Sequence, residues 1–240
     1  MADFTISSEA SSLANEVISK LKSSSEKTQL QIITDLAESG LDVLMEFLLE
    51  SRAVPANIVI GKAYQILFQS NSDKASQFLQ TYFPHGIVPL NSDRNIDYTP
   101  VQKLLAQQDF QAADSLTLQK CCELAGAIAV KRKWLYFTEV ENFPITDLQT
   151  IDKLWVVHSE GKFGYSVQRQ IWLGVEKNWE KFWPKINWKN GNNWTRYPQG
   201  FTWDLSAPRG HLPLSNQLRG VRVINSLFNH PAWSTTLAQS

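Results

Sequence analysis

Residues 179–194 read WEKFWPKINWKNGNNW and contain four of the nine tryptophans of this 240-residue chain. All nine tryptophans lie at or beyond Trp134, and the first 84 residues contain none. A tryptophan offers about 150 to 250 Å² of surface for burial, whereas helical cores are usually filled by Leu, Ile and Val. Because these tryptophans are interleaved with glycine, asparagine and lysine, the stretch predicts an aromatic surface for a flat, largely apolar partner.

The aromatic stretch runs into a segment, residues 184–215, that is rich in Gly, Pro and Asn and shows no sustained hydrophobic period. Compact domains rarely keep so long a loop unless it has a function. The aromatic residues of this loop that we assign to a ligand surface are Trp194, Tyr197, Phe201 and Trp203.

A final helix is predicted from about residue 216 to residue 229, with Arg219 and Arg222 three positions apart on one flank. A planar apolar ligand with carboxylates along one edge can lie on the aromatic rings while the two guanidinium groups bind its acids. Asn216 can add a neutral donor. Each charge-assisted hydrogen bond contributes about 1.5 to 3 kcal/mol. The alternative is that both arginines form ordinary surface ion pairs, which contribute about 0 to 1 kcal/mol.

Upstream of the loop the hydrophobic pattern is helical, which predicts an all-α fold. Between Ser8 and Tyr82 the pattern indicates about five short helices packed as a bundle. Ser23, Pro55 and Ser72 stand where helices are predicted to start.

The helical period breaks after residue 82, and we therefore predict two domains: an N-terminal helical bundle over residues 1–84 and a core domain over residues 85–240. In the second domain Asp109 is predicted to cap a helix. Two more helices are predicted over residues 146–158 and 166–175.

Charge divides unevenly between the two domains, although the formal net charge is zero. Residues 1–84 hold 6 basic and 10 acidic groups, and residues 85–240 hold 17 and 13. A modestly basic, aromatic second domain favours an anionic partner, but this excess is far below that of a dedicated nucleic-acid binder. The sequence thus favours an anion pocket.

No pattern in the chain demands catalysis. The four histidines are isolated, which disfavours a metal site. The sequence also lacks the G-x-S-x-G pattern of a nucleophile elbow. We expect a protein that is not an enzyme and binds no metal through its own side chains.

Several longer strings are similar to those of one protein family. They are DF at 109–110, AD at 113–114, WLYF at 134–137, FGYSVQ at 163–168, GFTWDLSAP at 200–208, GHLP at 210–213 and NQLRGVR at 216–222. Together they resemble the genomes-uncoupled-four family, the porphyrin-binding regulators of magnesium chelatase in chlorophyll synthesis. The resemblance covers about residues 82 to 233.

This resemblance implies an all-helical core shaped like a cupped hand, preceded in bacterial members by a helical bundle. It also implies binding of protoporphyrin IX and magnesium protoporphyrin IX, and non-catalytic stimulation of magnesium chelatase through that enzyme's large porphyrin-binding subunit. The expected protein is a monomeric carrier in the cytoplasm of a bacterial phototroph.

The resemblance carries over to individual positions. The residues that match polar positions linked to porphyrin binding are Asn216, Arg219 and Arg222. Those that match the aromatic wall are Phe137, Tyr197 and Phe201. Tyr197 departs from the family, since tryptophan is expected there, but tyrosine still offers a ring face.

Other functions remain open from the residues alone. The chain can be a protein-interaction adaptor whose aromatic residues only form a core. Lysines interleaved with tryptophans in residues 177–189 also suit a single-stranded nucleic-acid module. The same pattern favours peripheral, reversible attachment to a membrane surface.

Overall fold

The computed structural model describes residues 8–215 and 220–234, with side chains from residue 15 onward. Over these residues the chain forms thirteen α-helices and one short β-hairpin. The predicted all-α class is confirmed, and the hairpin is an addition to it. The chain divides into two compact units, Met1–Ile87 and Val88–Ser240.

Among its described residues the N-terminal unit contains five α-helices, as predicted. They are α1 (Ser8–Ser23), α2 (Glu26–Asp35), α3 (Leu41–Glu50), α4 (Ile58–Gln69) and α5 (Asp73–Tyr82). Helix α4 contacts α2, α3 and α5, so it lies at the centre of the unit. Ile33, Leu44 and Ala63 are fully buried there, which places the apolar stripes of three helices in one core.

Side-chain caps start several of these helices. Asn57 caps α4, and Ser72 caps α5 by accepting a hydrogen bond from the backbone N–H of Ala75. The Ser72 prediction is confirmed. Two others are wrong: Ser25 and not Ser23 caps α2, and α4 begins at Ile58, three residues after Pro55.

The C-terminal unit holds eight further helices and the hairpin among its described residues. The helices are α6 (Thr99–Ala106), α7 (Phe110–Ala125), α8 (Ala127–Arg132), α9 (Phe137–Val140), α10 (Ile145–His158), α11 (Tyr165–Gly174), α12 (Trp179–Lys185) and α13 (Arg222–Asn229). Strands β1 (Lys189–Asn190) and β2 (Asn193–Trp194) pair antiparallel around the two-residue turn formed by Gly191 and Asn192.

An aromatic cluster joins the long helices of this unit. Phe110 on α7 packs against Trp155 on α10 and against Phe163, which precedes α11, at centroid distances of 6.1 and 5.3 Å. The Trp155 indole N–H donates to the Thr117 hydroxyl over 3.1 Å. Ring packing and one satisfied buried donor therefore fix α7, α10 and the start of α11 against one another.

The segment before α6 is fastened to α10 by a buried carboxylate. Asp147 accepts hydrogen bonds from the Ser92 hydroxyl, the Asp93 backbone N–H and the Tyr98 hydroxyl, the last at 2.8 Å. These bonds satisfy an acidic group that is fully buried. The irregular segment at the start of the C-terminal unit thus has a fixed path as it enters α6.

The predicted last helix starts later than expected. Gly220 has φ of +85° and α13 begins only at Arg222. A positive φ interrupts helical backbone, so α13 does not extend back through Gly220, and the prediction of a helix from about residue 216 is wrong at its start. Asn216 and Arg219 lie outside the described residues.

Within the part of the chain that the structure describes, no helix is both long and apolar enough to cross a membrane.

Candidate functional site

Most tryptophans of the aromatic stretch are stacked in the interior. Trp172 packs on Trp179 at 5.1 Å, Trp179 on Trp183 at 5.2 Å, and Trp183 on Trp188 at 5.8 Å between centroids. We call these four residues the indole stack. The rings of its last pair lie 10° from parallel, and the Phe228 ring of α13 lies 6.0 Å from that of Trp179. The stack therefore links α11, α12, the hairpin and α13.

Burial shows what the indole stack does. Trp183 is 2% exposed and Trp188 is fully buried. The expectation that all four tryptophans of residues 179–194 form a ligand surface is wrong for these two, because their ring faces are covered by other protein rings. Their residue type predicted aromatic packing correctly but could not say whether the partner ring belongs to the protein or to a ligand.

His211 fastens the loop after the hairpin. Its Nδ1 donates to the Ile186 carbonyl over 2.7 Å, and its Nε2 accepts from the Thr202 backbone N–H over 3.1 Å. Its own carbonyl accepts from the Trp188 indole N–H over 2.8 Å. Burial lowers the pKa of His211, and its bond to Ile186 opposes that effect. One nitrogen donates and the other accepts, so the ring is neutral.

Residues 210–214 are tied to two helices. Gln168 of α11 donates from Nε2 to the carbonyls of Gly210 and Pro213 over 3.0 and 2.8 Å. The Leu214 backbone N–H donates to the Asp114 carboxylate of α7 over 2.6 Å. The loop that precedes the predicted ligand residues is therefore anchored at its end, two residues before Asn216.

The Asp114 anchor has an unusual acidity. Burial raises the pKa of its carboxyl to about 7, although the Leu214 hydrogen bond acts in the opposite direction. Removing a carboxylate from water penalises its charged form. Asp114 therefore gains and loses its proton near neutral pH.

Arg222 and Phe137 are brought together by the fold. The guanidinium carbon of Arg222 lies 5.5 Å from the centroid of the Phe137 ring, which is within cation–π range. Arg222 is exposed at the first position of α13, and Phe137 is the first residue of α9. Helices α9 and α13 pack together. The structure thus presents an aromatic ring and a cation side by side at the surface.

A second arginine–aromatic cluster precedes α9. The Arg132 guanidinium carbon lies 4.5 Å from the Trp134 ring and 4.3 Å from the Tyr136 ring, and Arg132 donates to Glu139 over 2.6 Å. The Tyr136 backbone N–H also donates to Glu139 over 2.7 Å. Arg132 was not predicted as a site residue from the sequence. Its only signal was the aromatic pair two and four residues downstream.

The loop aromatics differ in exposure. Tyr197 is 53% exposed, packs edge-to-face on Trp203 at 5.9 Å, and its hydroxyl lies 3.1 Å from that of Ser115. Trp203 is half-buried, whereas Phe201 is 5% exposed and packs between Trp203 and His211. Phe201 therefore supports the loop from within, and Tyr197 offers a free face.

Trp194 lies at the end of the hairpin. It is half-buried, packs edge-to-face on Trp183 at 5.4 Å, and has the Lys189 ammonium 5.5 Å from its ring. Lys189 also pairs with Glu180 over 2.6 Å. The predicted site residues that are described thus fall into three local groups: Arg222 with Phe137, the loop aromatics, and Trp194 on the indole stack.

Apolar side chains are exposed near these groups in the sequence. The residues are Ile128, Val130, Tyr136, Tyr197 and Val221, and Ile128 is 77% exposed. An exposed apolar residue is informative when it adjoins other apolar surface. Val221 precedes Arg222 and Tyr136 precedes Phe137, so each member of the arginine–phenylalanine pair follows an exposed apolar residue in the chain.

Among the described residues, no group of three or more His, Cys, Asp or Glu side chains could hold a metal ion. The chemistry that the surface does offer is a fixed cation, flat ring faces and exposed apolar groups. These suit noncovalent binding of an amphiphilic anion.

Comparison with known proteins identifies the chain. Residues 91–231 match the family described as GUN4-like, and residues 5–84 match its N-terminal ARM-like repeat domain. The chain belongs to the GUN4-like family. The resemblance inferred from the sequence strings is thereby confirmed.

Individual relatives agree with the family match. A Ycf53-like protein of Synechocystis is 52% identical over 225 residues, covering 91% of this chain and 96% of the relative. A chloroplastic tetrapyrrole-binding protein of Arabidopsis thaliana is 41% identical over 140 residues, covering 55% of this chain and 53% of the relative. The solved structure of GUN4 from Chlamydomonas reinhardtii has 44% identity and a TM-score of 0.57, covering 61% of this chain and 95% of that one.

The buried Asp114 predicts a specific pH dependence of stability. Its folded-state pKa of about 7 lies above its ordinary value of 3.8, so the folded unit holds a proton that the unfolded chain has released. The contribution of Asp114 to the free energy of unfolding is therefore highest below about pH 4. It falls as the pH rises to about 7. This difference in pKa between the folded and unfolded chain corresponds to a change of about 4 kcal/mol in the free energy of unfolding. Asp114→Asn should remove this part of the pH dependence.

The measurement is urea unfolding followed by tryptophan emission at several pH values. Because all nine tryptophans lie in the C-terminal unit, the signal reports that unit alone. Asp109→Asn is the matched control, since Asp109 also accepts a backbone N–H, that of Ala112, but is exposed. Equal pH profiles for Asp114→Asn and the unchanged chain would contradict the assignment.

Proposed function

We propose that this chain binds protoporphyrin IX and magnesium protoporphyrin IX and stimulates magnesium chelatase without catalysing a reaction itself. In this proposal it is a monomeric carrier in the cytoplasm of a bacterial phototroph. The observation that carries the proposal is the exposed Arg222 guanidinium held over the Phe137 ring. Membership of the GUN4-like family, which includes a relative named as tetrapyrrole-binding, supports the choice of ligand.

The proposed ligand has two chemical faces that match this surface. A porphyrin macrocycle is flat and apolar, so it gains free energy by covering aromatic and aliphatic side chains. Its propionates are anionic and are best bound by a guanidinium group, which forms paired charge-assisted hydrogen bonds. Arg222 supplies such a group from a position that its ring contact with Phe137 already restrains, which reduces the entropy lost on binding.

The other proposed contacts rest on different grounds. Tyr197 has an exposed ring face. Trp194 and Trp203, which lie within six residues of it in the chain, are half-buried. Phe201 acts in this proposal through Trp203, because it is itself buried. Asn216 and Arg219 stay proposals from the sequence and the family resemblance alone.

Arg222→Ala should weaken porphyrin binding about 10- to 100-fold. The loss reflects one charge-assisted interaction, which contributes about 1.5 to 3 kcal/mol. The affinity of Arg222→Lys for porphyrin should lie between those of the unchanged chain and Arg222→Ala. Lysine keeps the positive charge but loses the planar contact of the guanidinium group. Affinity is measured by quenching of tryptophan emission with deuteroporphyrin IX, a soluble porphyrin with two propionates.

Arg209→Ala is the matched control for this series. Arg209 is an exposed arginine of the same unit, and its guanidinium donates to Gln170 over 2.6 Å. We expect it to bind porphyrin normally. Normal affinity of the Arg219→Ala, Arg222→Ala double variant would remove the arginine pair from the proposal, and unchanged spectra at micromolar porphyrin would remove porphyrin binding altogether.

Chelatase stimulation requires its own experiment. Added to a reconstituted magnesium chelatase, the full chain should raise the rate of magnesium insertion into deuteroporphyrin IX. The effect should disappear when the large porphyrin-binding subunit is replaced by one that cannot bind this chain. A chain that binds porphyrin but leaves the rate unchanged would be a carrier that does not activate the enzyme.

We also propose that the protein attaches peripherally and reversibly to membranes. The tryptophans available for an interface are fewer than the sequence suggested, because Trp183 and Trp188 are buried. Lys181 and Lys185 remain exposed beside them and can meet anionic lipid. We expect flotation with vesicles of anionic phospholipid that decreases with salt. Absence of flotation both with and without porphyrin would refute attachment.

The two alternatives now have different support. Buried Trp183, Trp188 and Phe201 do serve as core, as the adaptor hypothesis holds for the aromatic residues. A nucleic-acid module needs free ring faces on which bases stack, and the interleaved Trp183 and Trp188 offer none.

A further inference from the structure

A groove lies between α3 and α5 of the N-terminal unit, which the tetrapyrrole proposal does not use. Its volume is about 200 Å³, and its lining residues are Asp42, Met45, Glu46, Leu49, Lys74, Phe78 and Tyr82. The residues from α3 are spaced i, i+3, i+4 and i+7, and those from α5 are spaced i, i+4 and i+8. Such spacings place side chains on one face of a helix. The groove is therefore formed by two facing helix surfaces.

Four of the seven side chains that line the groove are apolar or aromatic: Met45, Leu49, Phe78 and Tyr82. Met45 and Phe78 are buried at its floor, whereas Leu49 is 38% exposed. Leucine at this exposure leaves apolar surface in water that a partner can cover. The space holds several water molecules and hence one long side chain, but not a further helix.

The groove also contains a carboxylate oxygen without a hydrogen-bond partner. Glu46 Oε2 is shielded from solvent and has no hydrogen-bond partner in the structure. The neighbouring Lys74 ammonium is already paired with Asp42 over 2.7 Å. A shielded carboxylate oxygen without a donor costs free energy, and an incoming cation removes that cost.

The one arginine of residues 1–84, Arg52, does not line the groove, although it packs on one lining residue, Tyr82. The Arg52 guanidinium lies over the rings of Tyr82 and Phe83, at 5.9 and 5.8 Å. Residues 1–84 carry 10 acidic against 6 basic groups, so the unit as a whole attracts cations. A positively charged side chain from outside the chain is the occupant that both the charge and the apolar walls favour.

We propose that the groove between α3 and α5 is a docking site for a protein partner that inserts one arginine or lysine side chain. The methylene stem of that side chain packs on Met45, Leu49 and Phe78, and its charged end binds Glu46. Long basic side chains combine such a stem with a charged end. The N-terminal unit thereby binds a basic segment of a partner independently of the surface that carries Arg222.

The test uses the two methionines of the chain, of which Met45 lines the groove and Met1 is the first residue. The full chain is labelled with 13C at the methionine methyl groups, and Met45→Leu assigns the signals. The probe is N-acetyl-arginine methylamide, and N-acetyl-norleucine methylamide is its neutral counterpart. The arginine probe should shift the Met45 signal saturably with a dissociation constant of roughly millimolar size. The norleucine probe should bind at least tenfold more weakly.

Variants separate the charge from the apolar walls. Glu46→Gln keeps the size of the side chain and should weaken the arginine probe about tenfold while leaving the norleucine probe unchanged. Glu38→Gln is the matched control, because Glu38 is an exposed acid of the same unit that does not line the groove. Leu49→Gln should weaken both probes, and since Leu49 is partly exposed the unit should stay folded, as checked by thermal unfolding.

Four results would overturn the proposal. They are equal binding of the two probes, normal binding by Glu46→Gln, a Met45 signal that moves when the protein alone is diluted, and micromolar affinity for the free arginine derivative. The third result would mean that a second copy of the chain fills the groove. The fourth would mean a small-molecule site in place of a docking site.

Discussion

Burial of the indole stack is the constraint on which the rest of the C-terminal unit depends. Trp183 and Trp188 have no exposed face, and their rings join α12 to the hairpin and, through Trp179 and Phe228, to α11 and α13. Helices as short as these are marginal in isolation and are held by tertiary packing. The stack therefore holds α13, the helix that carries Arg222, against α11 and α12 through Phe228.

Buried hydrogen bonds fix the loop that follows the indole stack. Neutral His211 connects Ile186 with Thr202, and Asp114 holds the backbone of Leu214. Loops are usually free to vary because few of their backbone groups are paired inside the protein. Here the backbone around residue 211 is hydrogen-bonded and buried. The aromatic and charged side chains that follow it in the chain are therefore attached to a rigid segment. Functional groups placed on such a support lose less entropy when a ligand binds.

The two units divide their chemistry in different ways. In the C-terminal unit the exposed Arg222 cation lies over the Phe137 ring, which suits an anionic amphiphile. In the N-terminal unit a carboxylate oxygen of Glu46 without a hydrogen-bond partner lies in a groove that Met45, Leu49 and Phe78 also line. A cation and a carboxylate, each next to apolar side chains, favour partners of opposite charge. The acidic and basic balance of residues 1–84 and 85–240 already indicated this difference.

The sequence by itself determined the all-helical class, the five N-terminal helices, caps such as Ser72 and Asp109, and the family, because these depend on local periodicity, capping chemistry and extended strings of residues. Only the tertiary structure decided that Trp183, Trp188 and Phe201 are covered by the protein's own rings, that α13 begins only after Gly220, and that Arg132 packs on Trp134 and Tyr136. The same packing forces attract a tryptophan to a ligand ring and to a protein ring. Which of them covers it depends on contacts between residues far apart in the chain, and no local pattern records those contacts.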